Sequence, residues 1–240
     1  LTESRYLFTM PSEDLPDAAS LSQPAQVASA TQGAYNAIRR MILVGDLRPG
    51  EKLKIDALKA RLDTGASPVR EALSLLTSDQ LVERIDQRGF RAAPASQRNF
   101  DEILKLRCSL EDMALRQSIA NANETWEEQL VLSLHRMSRE DSKTSEAYED
   151  LHKAFHMALL ANCDSPILLK FCSQLYDLNV RYRYLAGRSL DYKSRHVGDE
   201  HAEIMSAAVK RNVDLTSERL LNHYQKTGAF LRQSGLVSES

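Results

Sequence analysis

Three cysteines in 240 residues, Cys108, Cys163 and Cys172, leave an odd count with no C-x-x-C pair. That excludes a disulfide framework and points to a reducing compartment, so the expected location is cytoplasmic. Glycine and proline are as sparse, at nine and seven residues, and a chain so poor in turn residues is expected to be rich in helix. No stretch approaches roughly 18 uncharged apolar residues, so no membrane span is expected. No basic segment followed by an apolar one opens the chain, which leaves a secretory signal unsupported. An excess of positive charge is missing too: 31 Lys and Arg stand against 33 Asp and Glu, a formal net of -2. A uniformly basic nucleic-acid coat is thereby excluded. The chain also lacks a Walker loop, a dinucleotide fingerprint and a G-x-S-x-G elbow.

What is present is unevenly distributed. Residues 1–31 carry one arginine, four acids and three prolines, a composition that buries no core and reads as a flexible tail. Residues 32–95 hold 11 Lys/Arg against 8 Asp/Glu, whereas residues 96–240 hold 19 against 21. A small basic unit followed by a larger, mildly acidic one predicts two jobs on one chain, with the seam near Pro94 and Ser96.

The basic unit reads as three helices and a hairpin. Ala34, Ile38, Met41 and Ile42 recur at helical spacing before Gly45, a natural C-terminal cap. Pro49-Gly50 centres a turn, and a second helix is expected from about Lys54 to Leu62. The third begins at Ser67-Pro68, read as a capping side chain followed by proline at the first helical position. Val69, Leu73, Leu76 and Gln80 form its inward stripe, with Ala72 beside it. Arg70, Ser74 and Thr77 fall together on the opposite face. Leu81–Ile85 and Phe90–Ala93, joined by a turn containing Gly89, read as paired strands. The sum is a winged helix-turn-helix, whose third helix enters a major groove and whose hairpin reaches the adjacent backbone or minor groove.

The run Tyr35-x2-Ile38-Arg39-x2-Ile42-Leu43-x-Gly45-x-Leu47-x-Pro49-Gly50-Glu51-x-Leu53, then Pro68-Val69-Arg70-Glu71-Ala72-Leu73-x2-Leu76, then Leu81-Val82 and Arg88-Gly89, resembles the GntR family of bacterial transcription regulators. The resemblance implies that Arg70 reads a base edge, that Ser67 contacts a phosphate or base, and that Gly89 is the tip of the wing. Arg88 and Lys54 would hold phosphates. A guanidinium suits the first role because its donor fork matches the O6/N7 edge of guanine. The family usually carries Ser-Arg-Thr before Pro-Val-Arg, and this chain has Gly65-Ala66-Ser67. A second arginine is therefore absent, which puts more of the specificity on Arg70.

From residue 97 onward helical periodicity prevails, with candidate helices near 97–122, 125–140, 145–162, 165–187, 192–211 and 213–233. An all-α antiparallel bundle is the simplest way to bury their apolar stripes. All six histidines lie here. His152 and His156 are spaced i, i+4 on one helix, a chelating separation, while His201 and His223 lie on the last two helices. Imidazoles suit zinc, nickel and similar divalent ions. A histidine on an amphipathic helix is otherwise a surface or hydrogen-bonded core residue, and His135 and His196 stay in that class.

Arg107-x2-Leu110-Glu111, Phe155-His156-x-Ala158-Leu159, Glu200-His201-x2-Ile204-x3-Ala208 and His223 resemble the FCD ligand-binding domain of the FadR subfamily. The resemblance implies a pocket metal held by His156, His201 and His223. His152 stands where the family has an aspartate, either as a fourth ligand or as a residue that does not coordinate. Arg107 matches a position that often faces the pocket. Arg181 and Arg183 are further candidates for holding a small organic acid, since an arginine fork beside a metal suits a carboxylate. A solvated or stacked surface patch is the other reading of that pair. The expected function is a ligand-responsive repressor working as a homodimer on a near-palindromic double-stranded operator. The alternative is an all-α metal-dependent enzyme with an N-terminal partner-binding module, weakened by finding only one Glu-x-x-His pair, Glu149 with His152.

Overall fold

A computed structural model describes residues 23–86, 88–140, 145–187 and 197–234. The N-terminal part runs α1 (Gln23–Leu43), β1 (Lys52–Leu53), α2 (Ile55–Leu62), α3 (Ala66–Ser78), β2 (Val82–Ile85) and β3 (Gly89–Ala92). Ala34, Ile38, Met41 and Ile42 of α1 bury against Val69, Ala72, Leu73 and Leu76 of α3. Two hydrogen bonds one turn apart on α1 tie it to α3 and its cap, Thr31 Oγ1 to Glu71 Oε2 at 2.8 Å and Tyr35 Oη to Asp79 Oδ2 at 2.7 Å. Fully burying such aliphatic side chains is worth about 1.5–3 kcal/mol each, so this seam stabilises the unit.

Four details depart from the sequence reading. Helix α1 already begins at Gln23, so residues 23–31 are helical and Thr31 is buried, whereas that stretch reads as tail by composition. Residues 1–22 lie outside the described residues. Helix α3 starts at Ala66, capped by Gly65 without a side-chain bond, and the Ser67 hydroxyl donates to Glu71 Oε1 at 3.2 Å instead of capping. Gln80 lies beyond α3 at φ 62°, where Leu81 N closes onto Leu76 O at 3.0 Å; it is exposed, not part of the inward stripe. The sheet has a third strand, in the order β1-β3-β2, all antiparallel, with Leu53 opposite Phe90 and Ile85 opposite Gly89. Two residues are too few for alternation to announce β1.

The C-terminal part comprises α4 (Gln97–Ala120), α5 (Glu124–Ser138), α6 (Glu146–Leu160), α7 (Pro166–Gly187), α8 (Val197–Val209) and α9 (Val213–Ser234). Capping side chains set the starts: Ser96, Asn123 and Ser145 accept from the backbone N–H three residues on. Helix α4 packs between α7 and α9, while α5 covers α6 and α8. Phe100, Leu115, Leu130, Phe155, Leu159 and Ile204 fill the centre. The expected start of the fifth bundle helix at 192, and His196, lie outside the described residues. No described helix is long and apolar enough to cross a membrane.

Helix α7 joins the two parts. Gln174 Nε2 reaches Ser78 O at the end of α3 (3.4 Å), and Asp177 pairs with Arg39 of α1 (2.6 Å) and Lys153 of α6 (2.7 Å). Arg181 Nη2 donates to Ala93 O just past β3 (2.6 Å), and Tyr182 Oη donates to Asn99 Oδ1 (2.7 Å).

Candidate functional site

Two places hold the residues singled out above. On the winged helix, Lys54, Ser67, Arg70, Ser74, Arg88 and Gly89 are exposed and Thr77 is half-buried. Ser74 and Thr77 hydroxyls bond back to the carbonyls of Arg70 (3.0 Å) and Leu73 (2.9 Å). The Arg70 side chain makes no hydrogen bond or ion pair with a described residue, and this exposed residue presents its donor fork to solvent from α3. Gly89 sits at φ 92° where β3 leaves the turn, a conformation that favours a residue without a side chain. The exposed face of α3 and the hairpin end thus offer donors and no packed apolar surface.

The second place is the interior of the bundle. His152 and His156 come from α6, His201 from α8 and His223 from α9; all four are buried, and their candidate ligand atoms lie within 4.8 Å of one another. His152 Nε2 stands 3.1 Å from His201 Nε2 and 3.3 Å from His156 Nε2. Ligands on a tetrahedral zinc with bonds of 2.0–2.1 Å are separated by about 3.3–3.4 Å, so the spacing fits such an ion. Two of the outer nitrogens, those of His223 and His156, are held as metal-binding imidazoles usually are. His223 Nδ1 faces Glu200 Oε2 at 2.7 Å, and His156 Nδ1 faces Tyr224 Oη at 2.9 Å. His152 Nδ1 differs, with Tyr176 Oη at 2.5 Å and Arg183 Nη1 at 2.7 Å.

Charge surrounds this cluster. Arg107 and Glu111 are both almost fully buried and pair at 2.6 Å, and Arg107 Nη1 also donates to Asn179 Oδ1 at 3.0 Å. Burial disfavours the Arg107 charge, but Glu111 beside it outweighs that and holds its pKa above the usual value. Arg107 Nη2 is buried with no hydrogen-bond partner among the described residues. Burial raises the Tyr224 pKa, helped by Glu111, to which its hydroxyl donates. It also lowers the pKa values of His152 and His156 well below normal, aided at His152 by Arg183 and at His156 by His201. Leu104, Arg107, His152, Asn179, Arg183 and His223 line a cavity of about 10 Å³, the size of one water site.

The family description "Bacterial regulatory proteins, gntR family" matches residues 30–91, and that of the FCD domain matches residues 102–226. The chain belongs to the GntR family and carries an FCD domain. The uncharacterized HTH-type transcriptional regulator BphR of Paraburkholderia xenovorans is 34% identical over 220 residues, 89% of each chain. The HTH-type transcriptional repressor GlaR of Escherichia coli is 31% identical over 199 residues, 79% of this chain and 90% of that one. Among solved structures, E. coli McbR/YncC superposes with a TM-score of 0.74 at 22% identity, over 85% of this chain and 98% of that one.

As a member of the GntR family the protein is a DNA-binding transcription regulator and not an enzyme, which removes the metalloenzyme alternative. Of the three arginines expected at the ligand pocket, the structure places Arg107 and Arg183 on it. Arg181 points the other way, to Ala93 O, because two residues along a helix turn a side chain by about 200°. Neither Arg181 nor Arg183 is a solvated surface residue. Sequence reasoning gave no role to Tyr176, Asn179 or Tyr224. Glu111 and Glu200 lie within the quoted motifs, yet nothing in their spacing told that they orient Tyr224 and His223.

Proposed function

We propose that the protein is a ligand-responsive repressor of the cytoplasm, a homodimer that leaves its operator when a small carboxylate binds beside a zinc or nickel ion in the FCD domain. The observation that carries the effector reading is the buried Arg107 Nη2, a charged donor without a hydrogen-bond partner among the described residues, on a residue lining a cavity that His152 and His223 also line. An anionic oxygen there would satisfy it, and a metal held by His156, His201, His223 and His152 would add a second attachment. In this reading residues 32–95 bind DNA and residues 96–240 sense. Helix α7 supports coupling between them, because Asn179 and Arg183 line the cavity and Tyr176 meets His152, while Gln174, Asp177 and Arg181 grip the winged helix. An effector changes operator affinity only by binding the two states of that junction unequally.

Two further observations support a repressor dimer. GlaR and RspR of E. coli are named repressors. Leu106 and Met113 of α4 and Ile167 and Phe171 of α7 leave apolar side chains exposed, with Met113 and Ile167 lining one depression, a surface suited to a second copy. A two-fold dimer would place two α3 helices on the half-sites of a near-palindrome. Ser67, Arg70, Ser74 and Thr77 would then face the major groove, Gly89 the minor groove, with Lys54 and Arg88 on phosphates.

Arg70→Ala is expected to weaken operator binding by about 1–3 kcal/mol and to relax base preference at one position of each half-site. A gel-shift titration on operator variants measures both, and unchanged affinity would remove Arg70 from the interface. The effector reading is tested by thermal shift with a panel of small carboxylates, with and without zinc. A ligand that binds only the folded form at about 100 times its Kd raises stability by about 2.7 kcal/mol, and the same compound should release the operator. Carboxylates that shift neither the melting point nor the gel would end it.

A further inference from the structure

We infer that Arg183 gates the fourth metal position by deciding which nitrogen of His152 carries the proton, so that metal binding and the release of Arg183 from His152 are one event. This rests on the reading of the four histidines as a metal centre. A neutral imidazole has one N–H and one lone pair, and only the lone pair takes a metal.

Hydrogen-bond partners on the outer nitrogens assign the tautomers. The Tyr224 hydroxyl spends its proton on Glu111, so towards His156 Nδ1 it accepts. His156 therefore carries Nδ1–H and aims the Nε2 lone pair inward. Glu200, an acceptor only, imposes the same tautomer on His223. His152 is reversed. Its Nδ1 faces Arg183 Nη1 at 2.7 Å, and a guanidinium has no lone pair to offer. Tyr176 Oη accepts from the same Nη1 at 3.1 Å and lies 2.5 Å from His152 Nδ1. Arg183 can only donate, so Nδ1 holds the lone pair and the proton sits on Nε2. That N–H points between His156 and His201, in the place a fourth ligand would occupy.

His152 has the position of a ligand and the proton of a non-ligand. To coordinate through Nε2 it must lose that proton to solvent and gain one at Nδ1, an exchange with no net change in charge. Tyr176 can stay by rotating its hydroxyl to accept, but Arg183 cannot. It must leave Nδ1 while keeping Glu149 as its anionic partner, on the cavity that it already lines with Arg107. By reciprocity, any anion that draws Arg183 away from His152 tightens the metal by the same factor.

The test is a double-mutant cycle on the full-length chain, with zinc affinity read by competition against a chromogenic chelator. Arg183→Met should raise zinc affinity at least about tenfold, the scale on which outer partners act on metal sites. Arg183→Gln, whose side-chain carbonyl accepts from Nδ1–H, should do the same and keeps the experiment alive if the methionine variant misfolds. In a His152→Ala background both gains should shrink to under about twofold, because the coupled partner is gone. Equal gains in both backgrounds would mean that the guanidinium merely repels the cation, and would overturn the gate, as would no gain at all. Wild-type protein that takes up no zinc would instead overturn the metal reading beneath it.

Discussion

Glu111→Ala is expected to cost about 3–5 kcal/mol of folding stability, the range for breaking a buried ion pair by removing one partner. Glu111 and Arg107 have side chains only 2% and 3% exposed, so water cannot take over the lost interaction. The truncation leaves a buried guanidinium with the Asn179 Oδ1 acceptor and, 4.2 Å away, the face of the Tyr224 ring. It also deprives the Tyr224 hydroxyl of its acceptor, which frees that proton to turn to His156 Nδ1 and reverse the tautomer there. Urea unfolding at constant slope reads the loss as a shifted midpoint. Glu111→Leu combined with Arg107→Met should recover most of it, since an apolar pair of similar volume needs no desolvation. A cost below about 1 kcal/mol for the single variant would mean that the pair is solvated in solution, against its burial here.

That pair also marks how far the sequence could be read. The winged helix was legible because its core is local and periodic: Ile38 and Ile42 against Leu73 and Leu76 are spaced as one helix face meeting another. His152 and His156 were legible as a chelating pair because i, i+4 on a helix fixes their common face. That His201 and His223 would meet them needed the family resemblance, since no spacing tells which faces of α8 and α9 turn inward. Arg107 and Glu111 share the same spacing as countless surface pairs, and only the packing of α4 between α7 and α9 buries them. Arg181 and Arg183 read alike in the sequence. Their opposite destinations follow from α7 lying between the winged helix and the histidines, a tertiary fact with no local signature.

Without metal, the protein is expected to lose stability steeply as pH falls below about 6.5, the ordinary histidine value. Burial depresses the pKa values of both His152 and His156 well below that value. In the folded state both rings therefore stay neutral at a pH where the unfolded chain already binds their protons. The unfolded state then holds up to two more protons, and each lowers the unfolding free energy by about 1.4 kcal/mol per pH unit. The pair gives about 2.8 kcal/mol per unit, starting at the unfolded value and ending where the folded rings titrate. Above pH 7 the profile should be flat on their account. Glu149 works in the opposite sense, because burial raises its pKa and the folded state takes up its proton first as pH falls. One such carboxyl, acting at lower pH, blunts the slope without reversing it. Urea midpoints measured from about pH 8 to pH 5 give the profile, and His152→Gln with His156→Gln should flatten it. A wild-type profile with no acid limb would mean that these rings are protonated inside the fold, which four imidazoles in one dry cluster beside two guanidinium groups do not permit.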